Sequence, residues 1–181
     1  NAGTINNCAI AGYYVAGSDG TLHAYSGSTL YAGGLVGCNA GTIKKSEAET
    51  PMMRLSSLYA EAYMGGLAGY NESSGRVVGC YDIGFLEVSE SKGSKNTVHA
   101  AGFIGKNDGR IKDSYCASSI VINGEAAVSY GFSPKGGSIS GCYYLDYGSY
   151  HFISRLLDFN STETRSAGTP VTYAQLADNG V

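Results

Sequence analysis

The 181-residue sequence has no tryptophan, only three prolines, and only 15% charged residues. Twelve Lys and Arg stand against 15 Asp and Glu, a formal charge of −3, so no general excess of cations exists to hold nucleic acid or an anionic membrane. No apolar run approaches the roughly 18 residues of a membrane-spanning helix. The motifs of several enzyme classes are missing too. There is no H-E-x-x-H for a zinc peptidase, no G-x-x-x-x-G-K-[ST] phosphate loop and no G-x-S-x-G nucleophile elbow. His23, His99 and His151 are isolated, and no C-x-x-C pair occurs, so no metal or other cofactor is expected. Five cysteines, an odd count, argue against a complete disulfide framework.

What the chain has in quantity is glycine (27) and tyrosine (15). With so few prolines, this composition points to short strands joined by tight turns. The glycines recur in a pattern. Gly33-Gly34-Leu35-Val36-Gly37-Cys38-Asn39-Ala40-Gly41-Thr42-Ile43 returns as Gly65-Gly66-Leu67-Ala68-Gly69-Tyr70-Asn71, followed after a short insertion by Gly75-Arg76-Val77. It returns again as Ala101-Gly102-Phe103-Ile104-Gly105-Lys106-Asn107-Asp108-Gly109-Arg110-Ile111. A partial unit opens the chain at Asn1-Ala2-Gly3-Thr4-Ile5, and a worn one runs from Tyr130 to Cys142. The apolar anchor falls at Ile5, Ile43, Val77, Ile111 and Ile139, in steps of 38, 34, 34 and 28 residues. Because the chain begins inside a unit, it is expected to be an excerpt of a longer protein.

Helical repeats of this period carry long amphipathic stretches, and none is present. The expected fold is therefore all-β: a parallel β-helix (β-solenoid) of about four to five coils over residues 1–145, with a short C-terminal cap or extension over 146–181. Leu35, Leu67 and Phe103 should stack inward as one ladder, and the anchors as a second. The small residues three positions past each anchor (Cys8, Ser46, Cys80, Ser114, Cys142) require a bend between the two positions, since a separation of three reverses the face of a straight strand. In Asn-x-Gly, at Asn39 to Gly41 and Asn107 to Gly109, the Asn is read as a turn former and Gly41 and Gly109 as suppliers of positive φ. The glycine pairs, including Gly34 and Gly66, are read as points of close backbone approach. Cysteines of one column alternate with serine and should all stay reduced, as small and mostly buried hydrophobes. The position shared by Cys38, Tyr70 and Lys106 accepts dissimilar residues and is read as solvent-facing.

The pattern G-G-L-[VA]-G-x-N-x-G-x-I-x-x-[CS], carried by Gly34, Leu35, Gly37, Asn39, Gly41 and Ile43, then Gly66, Leu67, Gly69, Asn71, Gly75 and Val77, then Gly102, Phe103, Gly105, Asn107, Gly109 and Ile111, resembles the GLUG motif of bacterial surface and secreted proteins. It is also similar to β-helical segments that accompany IgA-cleaving metallopeptidases and large adhesins. The resemblance spans about Asn1 to Tyr144. It implies a repeat module beside other domains, on a bacterial surface or outside the cell.

Two candidate binding surfaces follow from the repeat. Tyr81, Tyr115 and Tyr143 lie four residues past their anchors, either an exposed aromatic stripe able to contact sugar rings or protein, or a ladder inside the stack. Lys44 and Lys45, Arg76, Lys106, Arg110, Lys112 and Lys135 make a loose basic strip, interleaved with Glu72, Asp108 and Asp113. Asp82 and Asp113 share no column and are read as solvated surface rather than a catalytic pair. The variable segments Ser46 to Leu58 and Leu86 to Thr97 read as loops or longer strands projecting from the coils, and as a place for specificity. Past Tyr144, residues 151–159 are a candidate cap, and a short helix is expected over 172–178 with Thr172 as N-cap.

The expected function is a non-catalytic scaffold or adhesive module. Its partners would be a host glycan or protein and neighbouring domains of the same chain, with no nucleic acid and no membrane insertion. The alternatives are a carbohydrate-active β-helix of lyase or hydrolase type, and an accessory domain of a secreted metallopeptidase.

Overall fold

The computed structural model describes residues 1–11, 21–24, 29–57, 61–90, 97–123, 127–145 and 166–178. The candidate cap over 151–159 lies outside them. The described chain is all-β apart from one helix, and all pairing between named strands in it is parallel.

Four strands follow one another in each full unit, and each pairs with its counterpart in the next. Sheet I joins β4 (Leu30–Gly33), β8 (Ala62–Gly65), β12 (Val98–Ala101) and β17 (Ala127–Tyr130). Sheet II joins β5 (Val36–Asn39), β9 (Ala68–Asn71) and β13 (Ile104–Asn107). Sheet III joins β1 (Thr4–Asn6), β6 (Thr42–Lys44), β10 (Arg76–Val78), β14 (Arg110–Lys112) and β18 (Ser138–Ser140). Sheet IV runs through β2 (Ala9–Ala11), β7 (Glu47–Ser57), β11 (Tyr81–Glu90), β15 (Tyr115–Cys116), β19 (Tyr143–Leu145) and β20 (Thr169–Val171). Two further strands join its long members, β3 (Thr21–Ala24) on β7 and β16 (Ser119–Asn123) on β11. The variable segment Ser46 to Leu58 is thus largely β7, and the segment Leu86 to Thr97 begins in β11, with residues 91–96 outside the described ones. Where their side chains are described, they pack inward as well as outward.

The anchors occupy one register, Ile5 beside Ile43, Ile43 beside Val77, Val77 beside Ile111 and Ile111 beside Ile139. Ile43, Val77 and Ile111 are buried against Leu67, Phe103 and Phe132, with Ile5, Leu35 and Ile139 packed at the margins. Phe132, from the worn unit, extends the Leu35–Leu67–Phe103 ladder and stacks on Phe103 at 4.7 Å between ring centroids. A second core sets Met53, Leu86, Val88 and Ile122 of sheet IV with Met64, Val98 and Ala100 of sheet I.

The bend after sheet III has a defined cause. Two residues past each anchor the backbone is left-handed: Asn7 (φ 55°), Lys45 (48°), Gly79 (60°), Asp113 (49°) and Gly141 (60°). The next residue turns inward, and Ser46, Cys80, Ser114 and Cys142 are buried there. Each caps its own corner, as Ser46 Oγ donates to Lys44 O (2.9 Å) and Ser114 Oγ to Lys112 O (2.9 Å). The serines also bond to the preceding unit, since Cys8 N–H and Cys80 N–H donate to Ser46 Oγ and Ser114 Oγ, both at 3.2 Å.

The Asn-x-Gly reading needs correction. None of Asn39, Asn71, Asn107, Gly41, Gly75 and Gly109 has positive φ. The asparagines instead point inward as a buried amide ladder. Asn1 Nδ2 donates to Asn39 Oδ1 (2.9 Å), Asn39 Nδ2 to Asn71 Oδ1 (2.8 Å), Asn71 Nδ2 to Asn107 Oδ1 (2.8 Å), and Asn107 Nδ2 to Gly136 O (2.9 Å). The glycine of the motif is there for space: a Cβ on Gly109 would strike Asn71 Nδ2 and the carbonyls of Glu72 and Gly75.

Beyond the repeat, β20 adds one more strand to sheet IV, and Ser166 Oγ accepts from Phe132 N–H (2.8 Å). The helix α1 (Tyr173–Asp178) begins where expected. Thr172 Oγ1 accepts from Gln175 N–H (3.3 Å) and Gln175 Oε1 accepts from Thr172 N–H (2.8 Å), a reciprocal capping box. No helix among the described residues is long and apolar enough to cross a membrane.

Two substitutions test this account by urea unfolding. Asn71→Ala strands Asn107 Oδ1 and a donor of Asn39 in the interior and should cost about 2–3 kcal/mol, whereas Asn6→Ala on the exposed face should cost under about 0.5 kcal/mol; equal effects would contradict the ladder. Gly79→Ala meets no atom within 4 Å, so its cost should be the left-handed backbone alone, about 1–2 kcal/mol.

Candidate functional site

With the interior given over to repeated packing, the side chains able to meet a ligand lie on the outward faces of the four sheets. Sheet III presents alternate residues of five strands. One outward column reads Thr4, Thr42, Arg76, Arg110, Ser138, and the other Asn6, Lys44, Val78, Lys112, Ser140. Arg76 and Arg110 are register neighbours, while Lys44 and Lys112 flank Val78, itself 38% exposed. Lys112 has one ion pair, with Asp113 at 3.3 Å, and both groups are well exposed. The other two acids expected to interleave with this strip sit elsewhere. Asp108 accepts a hydrogen bond from the Tyr70 hydroxyl (2.7 Å), and Glu72 acts on Cys38 and Tyr70, so both serve the sheet II side. Lys106, counted in the same strip from the sequence, also belongs to sheet II.

Tyr81, Tyr115 and Tyr143 are brought together as a register column on sheet IV. Tyr81 and Tyr115 stack at 5.1 Å with 7° between ring planes, both half-buried, and Tyr143 is 39% exposed. Burial, then Glu47 and Glu49, raise the Tyr115 phenol pKa. Stacked this way the rings turn their faces to one another and their edges outward. The column therefore combines both sequence readings: a ladder along the stack whose rim meets solvent.

A larger aromatic group lies on sheets I and II, and the sequence reading did not assemble it. Tyr31, Tyr63 and His99 are register neighbours two residues before the repeat's first glycine position. Tyr31 and Tyr63 stack at 5.6 Å, Tyr63 and His99 at 4.8 Å, His99 and Tyr130 at 6.3 Å, and Tyr70 joins from sheet II on Tyr31 at 5.0 Å. The Lys106 ammonium lies over Tyr70 (4.9 Å) and Tyr63 (5.3 Å). The Cys38–Tyr70–Lys106 position is thus half-buried and partnered, not simply solvated. Tyr63 hydroxyl donates to Glu61 (2.6 Å). Burial and that bond raise its pKa, while the bond to Asp108, then burial, pushes Tyr70 up to about 12. Burial lowers the His99 pKa. Extending the repeat alignment one strand upstream, over "LYAGG", "AYMGG" and "VHAAG", would have revealed the column.

Asp82 is the other surprise. Expected on the surface, it is fully buried, in the inward column of sheet IV between Ala48 and Cys116. Ser118 Oγ donates to its Oδ2, and Oδ1 has no partner. Burial pushes its pKa up to about 8 from an ordinary 3.8, opposed in part by the Ser118 bond. Burial, then Asp82, raises the Cys116 thiol pKa well above its ordinary range. All five cysteines are free thiols, with Cys80, Cys116 and Cys142 buried, Cys38 half-buried and Cys8 exposed. Among the described residues no group of three or more His, Cys, Asp or Glu is arranged to hold a metal.

The buried carboxyl makes stability depend on pH. Between pH 3.8 and about 8 the folded chain keeps the Asp82 proton that the unfolded chain has lost. Its contribution to stability is therefore complete below the lower value and falls as pH rises, by up to about 1.4 kcal/mol per pH unit, until the folded carboxyl ionises. Asp82→Asn should lack this slope: its urea-unfolding free energy should match the parent's near pH 4 and exceed it increasingly toward pH 8. Parallel curves for the two proteins would refute a buried, protonated Asp82.

Compared with known proteins, the chain matches no family model, no curated protein and no solved structure.

Proposed function

We propose that the chain is a β-solenoid serving as a non-catalytic repeat module of a bacterial cell-surface or secreted protein, a GLUG-type scaffold whose outward faces are available for adhesion. The observation that carries this reading is the continuity of the inter-unit contacts. Equivalent strands pair in one register through five strands of sheet III, and the polar groups best suited to chemistry are engaged by the next unit. The amides of Asn39, Asn71 and Asn107 bond to each other, Ser46 and Ser114 bond to backbone, and Asp82, the one strongly perturbed carboxyl among the described residues, is fully buried. A glycosidase of the common type needs two carboxyl groups flanking one bond, and a carboxyl without solvent access is poorly suited to serve as either.

Two measurements test the reading. Duplicating Arg76–Gly109, one 34-residue unit, should lengthen the particle in solution scattering by about one strand spacing, ~4.8 Å, at constant cross-section. Growth in every dimension would refute a solenoid. Incubation with acidic and neutral polysaccharides should release no new reducing ends and no unsaturated uronate; turnover abolished by substituting a surface carboxylate would make the chain an enzyme instead.

A further inference from the structure

Although the chain carries a net formal charge of −3, the outward face of sheet III and its following corner hold Lys44, Lys45, Arg76, Arg110 and Lys112 against a single carboxylate, Asp113. That carboxylate is taken by Lys112. Lys44, Arg76 and Arg110 have no acidic partner among the described residues, and all three are exposed. Nearby acids lie on other sides: Glu47 and Glu49 on sheet IV, Glu72 and Asp108 toward sheet II.

Geometry sharpens the imbalance. Arg76 and Arg110 are direct register partners on parallel strands, about 4.8 Å apart along the stack, and Lys112 stands on their face two residues further along its strand. Like charges so placed repel, and no acidic group among the described residues pairs with either. Val78 fills the middle of the group, with Arg76 beside it on the strand and Lys44 and Lys112 on either side. The patch is thus a flat grid of cations around one exposed apolar side chain.

We propose that this face binds a linear acidic polysaccharide, its sulfate or carboxylate groups held by Arg76 and Arg110 with Lys44 and Lys112 flanking, and a sugar ring's C–H face resting on Val78. A guanidinium matches a carboxylate or sulfate with two parallel N–H donors, and the strand spacing repeats the cation along a ligand whose own charge repeats. Single-stranded nucleic acid is less suited, because no aromatic side chain stands in either outward column to stack on bases. A membrane surface is less suited too, since it would have to approach Glu47 and Glu49 on the adjoining sheet as well.

The proposal rests on the scaffold reading but fails separately from it. The 181-residue chain should be retained on immobilised heparin and bind polygalacturonate in low salt, while ignoring neutral dextran. Raising sodium chloride to 0.5 M should release it. Arg76→Ser with Arg110→Ser should weaken binding at least tenfold at unchanged or higher thermal stability, since relieving repulsion does not unfold the sheet; Lys106→Ala, on the other side, should bind like the parent. Absence of polyanion binding in low salt, or equal binding by the double variant, would overturn the proposal and leave the scaffold reading standing if scattering still shows one added strand spacing. Equal or tighter binding to oligothymidylate or to phosphatidylserine vesicles would overturn the assignment of ligand class.

Discussion

Neighbouring parallel strands sit about 4.8 Å apart, and every interior side chain here must tolerate its own counterpart at that distance above and below. The residues that fill the columns are those that can. An amide is donor and acceptor at once, so Asn39, Asn71 and Asn107 satisfy each other at 2.8 Å while fully or almost fully buried. Flat rings stack, as Phe103 does on Phe132 and Tyr81 on Tyr115. Branched aliphatics pack. A carboxylate does none of these, and Asp82 is the only acid among the described buried residues, set between Ala48 and Cys116 rather than beside another acid. The same spacing governs the cysteines of the corner. Each alternates with a serine, so the nearest in its column is roughly 9.6 Å away, past the ~7 Å that a disulfide can span between α-carbons.

A second distance explains the glycine pairs. The inward column of sheet IV, with Asp82, Cys116 and Tyr144, points across the interior at Gly66, Gly102 and Gly131. A Cβ on any of the three would collide with the side chain opposite. The glycine position of the motif is thus a row of hollows at Gly66, Gly102 and Gly131, each admitting a side chain from the facing sheet. Two constraints therefore bear on sequence at once: likeness along the stack, and complementary size across it.

That pairing explains what could be read from the sequence alone. Similarity along the stack leaves a visible period, so the anchors, the Leu35–Leu67–Phe103 ladder and the need for a bend before Cys8, Ser46, Cys80, Ser114 and Cys142 were all legible. Complementarity across the interior leaves no period. Asp82 looked like surface because nothing near it in sequence announces Gly66 as its opposite number, and the segments that begin in or form β7 and β11 read as either loops or longer strands because their partners, β3 and β16, vary in composition. The Asn-x-Gly motif was legible as a position and misread as a conformation, since turn and ladder favour the same residues. Of the surface residues, the tyrosine column was found by counting from the anchor, and the cations were read as a strip along the turn edge. The Tyr31–Tyr63–His99 group was missed because it lies upstream of the glycines, far from the anchor from which the count was taken.

Stacking also divides inside from outside in a way that bears on function. An inward column largely closes on itself: amide meets amide, ring meets ring and serine meets backbone, with Asp82 Oδ1 the exception among the described residues. An outward column of phenols does nearly the same, with Tyr63 and Tyr70 bonded to Glu61 and Asp108. The adjacent guanidinium groups of Arg76 and Arg110 cannot, because each meets a like charge on one side and only a hydroxyl residue, Thr42 or Ser138, on the other. The stacking that stabilises the other columns leaves Arg76 and Arg110 side by side with no acidic partner among the described residues, and the anion proposed above is the kind of group that would complete that face.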